Sequence, residues 1–295
     1  MSFSSKTAGS PLVSTAWLAD NINSVIPVDG SWHMPAANRD PYQEYLARRI
    51  KNARFFGIDE IKDKTIDLPH MLPSPEDFAK AVGDLGISVN DHVVAYDSVG
   101  IFSSPRIYWT FKVFGHEKVS VLDGGLPKWI EENREIESGP VSITPKEYHT
   151  PTLNHKLVRN YQDIIKNIEQ GPNASSFEQV IDARPEKRFT GEDHEPRAGL
   201  SSGHMPYSTS IPFYAVIDPS TKNTLLDNDS LRKLFESKKV DLEKPIVLSC
   251  GSGITASTLY FALEKVGARQ IAVYDGSWTE YASNAKSPIV KNENQ

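Results

Sequence analysis

The chain repeats itself, and the repeat limits its fold more than any other feature. Val93-Val94-Ala95-Tyr96-Asp97 leads through a helical stretch to Val119-Ser120-Val121-Leu122-Asp123-Gly124-Gly125. Ile246-Val247-Leu248-Ser249-Cys250 leads in the same way to Ile271-Ala272-Val273-Tyr274-Asp275-Gly276-Ser277-Trp278. Upstream, Ile26-Pro27-Val28-Asp29-Gly30-Ser31 matches Val180-Ile181-Asp182-Ala183-Arg184. Asp29 lies 68 positions before Asp97, and Asp182 lies 68 before Cys250. Asp29 to Asp123 is 94 positions and Asp182 to Asp275 is 93. Three anchors at kept offsets point to a tandem duplication of one fold.

Each copy alternates short apolar runs, such as 25–28, 93–96 and 119–122, with helical stretches such as 75–85 and 105–114. Pro75 followed by Glu76 and Asp77 is a helix-start signal. Strands alternating with helices predict an α/β fold in which each copy is a parallel sheet flanked by helices. The 295 residues give room for two such domains, expected at 11–135 and 158–290. Between them 136–157 reads as a polar linker marked by Gly139, Pro140, Pro145 and Pro151.

A net charge of −6 gives no basic patch for direct nucleic-acid binding or for an anionic membrane. No run approaches a transmembrane helix. A single cysteine excludes an internal disulfide framework and a cysteine-based zinc site. His33, His92, His116, His149, His155 and His194 show no paired metal spacing, so no metal and no cofactor is expected. The first ten residues are serine-rich with one lysine and no apolar core, and the first arginine is Arg39. A cytoplasmic location is expected, with mitochondria as the alternative.

The lone Cys250 follows the apolar run 245–248 and precedes a helical pattern in which Leu259, Tyr260, Leu263 and Val266 recur and Gly267 marks the end. It therefore stands at the carboxyl end of a parallel strand, before a helix N-terminus, where α/β sheets place ligand sites. Gly251 and Gly253 let the chain turn tightly, so a ring of amides can face one point and favour a thiolate. The plain alternative is a buried, inert thiol. Asp97 occupies the same slot in the first copy, so the fold does not itself require a thiol there. The loop lacks the third glycine of a dinucleotide fingerprint, the Gly-Lys-Ser/Thr of a P-loop, and the arginine six residues on that a cysteine phosphatase needs: position 256 is alanine. Holding a persulfide is the use that remains.

With Cys250-Gly251-Ser252-Gly253-Ile254-Thr255-Ala256, Ser202-Gly203-His204-Met205-Pro206, Leu122-Asp123-Gly124-Gly125 and Tyr274-Asp275-Gly276-Ser277-Trp278 taken in order, the chain resembles the two-domain rhodanese family, and within it the 3-mercaptopyruvate sulfurtransferases. The likeness runs from about position 12 to 281. It implies a catalytic second domain and a non-catalytic first one. It implies that Cys250 carries sulfur as a persulfide, with the Gly251, Gly253, Ile254 and Thr255 segment around the substrate. Members that prefer thiosulfate place Arg and Lys after the cysteine; Gly251 and Ser252 are uncharged and favour 3-mercaptopyruvate. Arg188 and Arg197 match the family's substrate-binding arginines, which suits a carboxylate, whereas solvated ion pairs are the plain alternative. Arg184 resembles a structural arginine.

The resemblance also implies that Ser252 moves a proton together with Asp59 and His70, donated by the first copy. Gly57 stands where the family often has another aspartate. His204 reads as a turn residue. Asp275 and Trp278, with counterparts Asp123 and Trp129, read as structural. Implied acceptors are thioredoxin, small thiols, cyanide, or a protein partner in tRNA thiolation. The alternatives are a thiosulfate sulfurtransferase and a non-catalytic rhodanese-like scaffold.

Overall fold

The computed structural model describes residues 10–291. They divide into two compact units. One takes in the described residues up to Gly57 together with Pro75–Leu153; the other joins Ile58–Ser74 to the residues from Asn154 onward.

The first unit contains β1 (Leu12–Val13), β2 (Ile26–Asp29), β3 (Arg49–Ile50), β4 (Arg54–Phe55), β5 (Val93–Tyr96), β6 (Val119–Leu122) and β7 (Ile136–Glu137). The second contains β8 (Val158–Arg159), β9 (Gln179–Asp182), β10 (Thr209–Ser210), β11 (Ile246–Ser249) and β12 (Ile271–Tyr274). The first sheet runs β1-β6-β5-β2-β4 and the second β8-β12-β11-β9-β10, with every neighbour parallel. Matched strand for strand the two orders are the same. So is the register: Asp29 pairs with Tyr96, the residue before Asp97, and Asp182 pairs with Ser249, the residue before Cys250. The duplication seen in the offsets is thus a duplication of topology.

The apolar runs become central strands because parallel strands are covered on both faces. All four residues of β5, β6, β11 and β12 are buried. The helix Pro75–Asp84 starts at the expected proline with Glu76 and Asp77 in its first turn. The helix Ile254–Lys265 ends before Gly267, whose φ of 102° suits glycine alone. Val13, Tyr45, Val94, Leu122 and Trp129 form one core, and Ile164, Val180, Val247, Tyr274 and Trp278 another.

Two segments differ from expectation. The stretch expected to link the copies lies along the first unit as far as 153. β7 pairs with β3, Lys146 N–H donates to Gly83 O, and the Tyr148 ring is buried beside Phe78 and His116. Its apolar anchors hold it down despite its prolines. Residues 58–74 lie within the first copy in sequence, yet pack with the second unit.

Candidate active site

Cys250 closes β11 and is 2% exposed. Gly253 takes φ +84° and turns the chain into the helix that starts at Ile254. That left-handed turn directs the Gly253 N–H back to Cys250 Sγ at 3.1 Å. Of the amides expected to face the sulfur, the Gly253 N–H does so directly. Ser257 Oγ secures Gly253 O at 2.9 Å. Ile254 is buried and Thr255 half-buried at the helix start, and Ser252 is buried in the loop.

The next loop braces this one. Trp278 N–H donates to Cys250 O at 2.9 Å, and Thr279 donates through both N–H and Oγ1 to Gly251 O at 3.0 and 2.6 Å. Ser277 Oγ accepts from Cys250 N–H at 3.2 Å and donates to Tyr274 O at 2.8 Å. Ser277 sits at φ +49°, a left-handed conformation unusual for serine. Sequence reasoning missed it, although the repeat held the signal: its counterpart is Gly125, at φ +52°. Leu126 N–H donates to Asp97 O as Trp278 N–H does to Cys250 O, so the counterpart of Trp278 is Leu126 rather than Trp129.

Arg188 and Arg197 are brought to the cysteine loop. A Cβ placed on Gly251 would stand 3.4 Å from Arg188 Nη2 and 3.8 Å from Arg197 Nη1. A side chain at 251 would therefore occupy the space that the two guanidiniums face. Burial holds the Arg197 guanidinium below its usual value; an ionised Cys250 sulfur opposes this and Arg188 adds to it. Two like charges converge on the loop, which favours a bound anion.

Glu195 aligns Arg188, a role sequence reasoning did not assign. Its side chain is 2% exposed and accepts from Arg188 Nε at 3.1 Å, from Arg188 Nη2, and from Arg184 Nη1 at 2.7 Å. Arg184 is itself buried, donates to Asp182 and to Gly203 O at 2.6 Å, and lies 3.9 Å over the Trp278 ring. It is structural, as its motif implied. His204 stacks on Phe189 at 3.9 Å, donates its Nδ1–H to Phe189 O at 2.9 Å, and exchanges backbone bonds with Val290.

His70 and Asp59 are together: Nδ1 lies 2.9 Å from Asp59 Oδ1. His70 is 3% exposed and Asp59 half-exposed. The segment 58–74 is closed on itself by Asp63 N–H to Met71 O at 3.0 Å, and Leu72 N–H donates to Asp275 Oδ2 at 2.8 Å. Asp275 therefore fastens the segment that carries His70. Asp59 also lies close enough to Arg197 to raise its basicity. The Ser252 hydroxyl makes none of the hydrogen bonds that organise the loop.

The second unit thus holds one thiol, two guanidiniums that converge on its loop, and a histidine–carboxylate pair on the segment fastened by Asp275. The rhodanese-like domain model matches the chain twice, at residues 16–132 and 161–284. The chain is 38% identical to 3-mercaptopyruvate sulfurtransferase of Homo sapiens over 96% of its own length and 95% of that protein's. It is 40% identical to thiosulfate sulfurtransferase of Bos taurus, covering 93% and 92%. Among solved structures, the 3-mercaptopyruvate sulfurtransferase SseA of Escherichia coli superposes with a TM-score of 0.80 at 34% identity, over 91% of this chain and 98% of that one. With the same sheet built twice and the thiol loop in the second, the chain belongs to the rhodanese family as a tandem of two rhodanese-like domains.

Proposed function

We propose that this chain is a sulfurtransferase that takes sulfur from 3-mercaptopyruvate and passes it to a thiol or cyanide through a persulfide on Cys250. The observation that carries this reading is the convergence of Arg188 and Arg197 on Gly251 beside the thiol. Two guanidiniums suit the carboxylate and keto oxygen of a 2-oxo acid. Relatives named for mercaptopyruvate and for thiosulfate are about equally similar, so the donor is chosen on the loop itself. Gly251 and Ser252 add no cation next to the sulfur, as a dianion such as thiosulfate would want.

The Cys250 thiolate attacks the substrate sulfur. An S–S bond forms, the C–S bond breaks, and the electron pair leaves on carbon as the enolate of pyruvate. One proton completes pyruvate; His70, oriented by Asp59, supplies it by way of Ser252. An acceptor thiolate or cyanide then attacks the outer sulfur and restores Cys250. Small thiols, thioredoxin and cyanide are the acceptors proposed, and a protein partner in tRNA thiolation is a further one.

The test compares kcat/KM for the two donors with cyanide as acceptor. The expected result is ping-pong kinetics with 3-mercaptopyruvate faster. Faster turnover of thiosulfate overturns the choice of donor, and no turnover of either overturns the activity.

A further inference from the structure

We infer that the non-catalytic first unit holds a second, chemically silent binding site for a small organic carboxylate, in the cleft beside Asp97. The substrate class rests on the reading above; the site itself is built from residues of the first unit.

The cleft has a volume of about 600 Å³, within the range of ordinary small-molecule sites. Its polar lining is Arg39, Arg48 and Ser98 with Glu44, whose carboxylate is engaged by Arg39, and its apolar lining is Leu126, Pro127 and Ile130. Ser98 follows Asp97 and Leu126 donates its N–H to Asp97 O. The cleft therefore opens at the carboxyl end of β5, the place that corresponds to Cys250 in the other sheet.

The clamp of the catalytic unit is repeated here. In that unit Glu195 grips Arg188 through Nε and Nη2, and Arg188 Nη2 faces the side-chain position of Gly251, the residue after Cys250. In the first unit Glu44 grips Arg39 through Nε and Nη2 at 2.7 and 2.6 Å, and Arg39 Nη2 donates to Ser98 Oγ, the residue after Asp97, at 3.3 Å. A third basic group completes each cluster: Arg184 on Glu195, His33 on Glu44 at 3.2 Å. In the catalytic unit the clamp is buried, with Glu195 2% exposed; in the first unit Arg39 and Glu44 are 40% and 35% exposed, which leaves the guanidinium open to a ligand from solvent.

Arg48 adds a second cation. It is exposed, lines the cleft, and has no ion-pair partner among the described residues. What differs is the reactive position. Asp97 fills its own loop, so a ligand here meets guanidiniums and an apolar lining but no nucleophile. An organic monoanion with a short apolar body fits that pair of linings, and a naked inorganic anion does not use the apolar one.

The full-length ¹⁵N-labelled protein is titrated with sodium pyruvate at constant ionic strength, following backbone amides. Two sets of resonances are expected to move: 251–253 at the catalytic loop, and 98–100 with Leu126 at the cleft. Arg48→Ala is expected to weaken the second set about tenfold and leave the first unchanged; this residue lies outside the catalytic unit. Movement of the first set without the second overturns the inference and spares the catalytic reading. Movement of the second without the first does the reverse. Equal shifts of the second set in Arg48→Ala, or the same shifts with sodium sulfate, overturn the assignment of an organic carboxylate.

Discussion

The same turn between strand and helix is used in two ways. In the first unit Asp97 accepts N–H bonds from Val99 and Gly100 on Oδ1 and from Phe102, Ser103 and Ser104 on Oδ2, at 2.8 to 3.0 Å. It is fully buried. The carboxylate is an anion that the fold supplies to its own amides. In the second unit Cys250 receives the Gly253 N–H, and guanidiniums approach from outside. The same kind of turn is filled by a carboxylate in one copy and carries a thiol in the other. A stable fold and a reactive site therefore compete for one set of donors, and duplication assigns them to separate copies.

Exchanging the key residues breaks this comparison most directly. Cys250→Ser is expected to lower activity by on the order of 10⁴-fold, as loss of a nucleophile does. Mass spectrometry after 3-mercaptopyruvate should show the wild type gaining about 32 Da, one sulfur atom, and the variant gaining none. The converse change, Asp97→Cys, should form no persulfide in a Cys250→Ser background, because the amides of that turn are spaced for the two oxygens of a carboxylate rather than for one sulfur. A persulfide on position 97 would show that the turn alone suffices. Next comes stability. Asp97→Ala strips five amides of a charged acceptor, each bond being worth about 1.5–3 kcal/mol but not additive, so a loss of about 4 kcal/mol is expected. Urea unfolding measures it; a loss under about 1 kcal/mol would mean that water replaces the carboxylate.

The repeat could be read from the sequence because it is written in offsets: anchors 68 positions apart in both copies became strand pairs in the same register. Cys250 was legible from its place between a strand and a Gly-x-Gly turn, whereas Arg188 and Arg197 were singled out only by the resemblance, since arginines in a charged loop otherwise read as solvated ion pairs. The role of residues 58–74 was less legible. They are held through a main-chain N–H of Leu72 meeting Asp275, 203 positions away, and any residue but proline supplies such a donor. Glu195 was hidden for another reason: in a charged loop an acid reads as a solvated ion pair until burial shows that it is not.

A second contrast lies one strand over. Asp182 is neutralised by Arg184, while its counterpart Asp29 has Ser31 in the same place, donating N–H and Oγ to Oδ1 at 2.9 and 2.5 Å. Burial pushes the Asp29 carboxyl up to about 7, against the Ser31 hydrogen bonds and with a further rise from Asp97. The folded state thus holds a proton that the unfolded chain releases near pH 4. Stability from this group is full below that pH and is lost as pH rises toward and through 7, by about 3 kcal/mol between pH 4 and 7. Asp29→Asn should remove that slope from the first unit's unfolding, and an unchanged slope would assign it elsewhere. In the second unit the test is catalytic. Arg188→Ala should cut kcat/KM about 10²-fold, roughly 2.7 kcal/mol, mainly through KM. Arg188→Lys should recover little, because a lysine cannot grip Glu195 with two parallel bonds.

The smallest effect is the most discriminating. Ser277 and Gly125 share one backbone conformation at equivalent positions, φ +49° and +52°. Glycine adopts it freely; serine does so at a cost of about 1 kcal/mol. In the first copy a Cβ is excluded, since at Gly125 it would lie 2.6 Å from Asp97 O. In the second copy the strained residue returns two hydrogen bonds, one of them to the amide of Cys250. Ser277→Gly removes strain and hydroxyl together, so stability should change by less than about 1 kcal/mol while kcat falls about tenfold, the thiol no longer being held in place. Ser277→Ala keeps the strain and loses the bonds, so it should be the less stable of the two by about 1 kcal/mol. Thermal unfolding and kcat measured on both variants separate the contributions. Wild-type kcat in Ser277→Gly would mean that the thiol loop holds its geometry without the serine, and that the strain at 277 has no catalytic return.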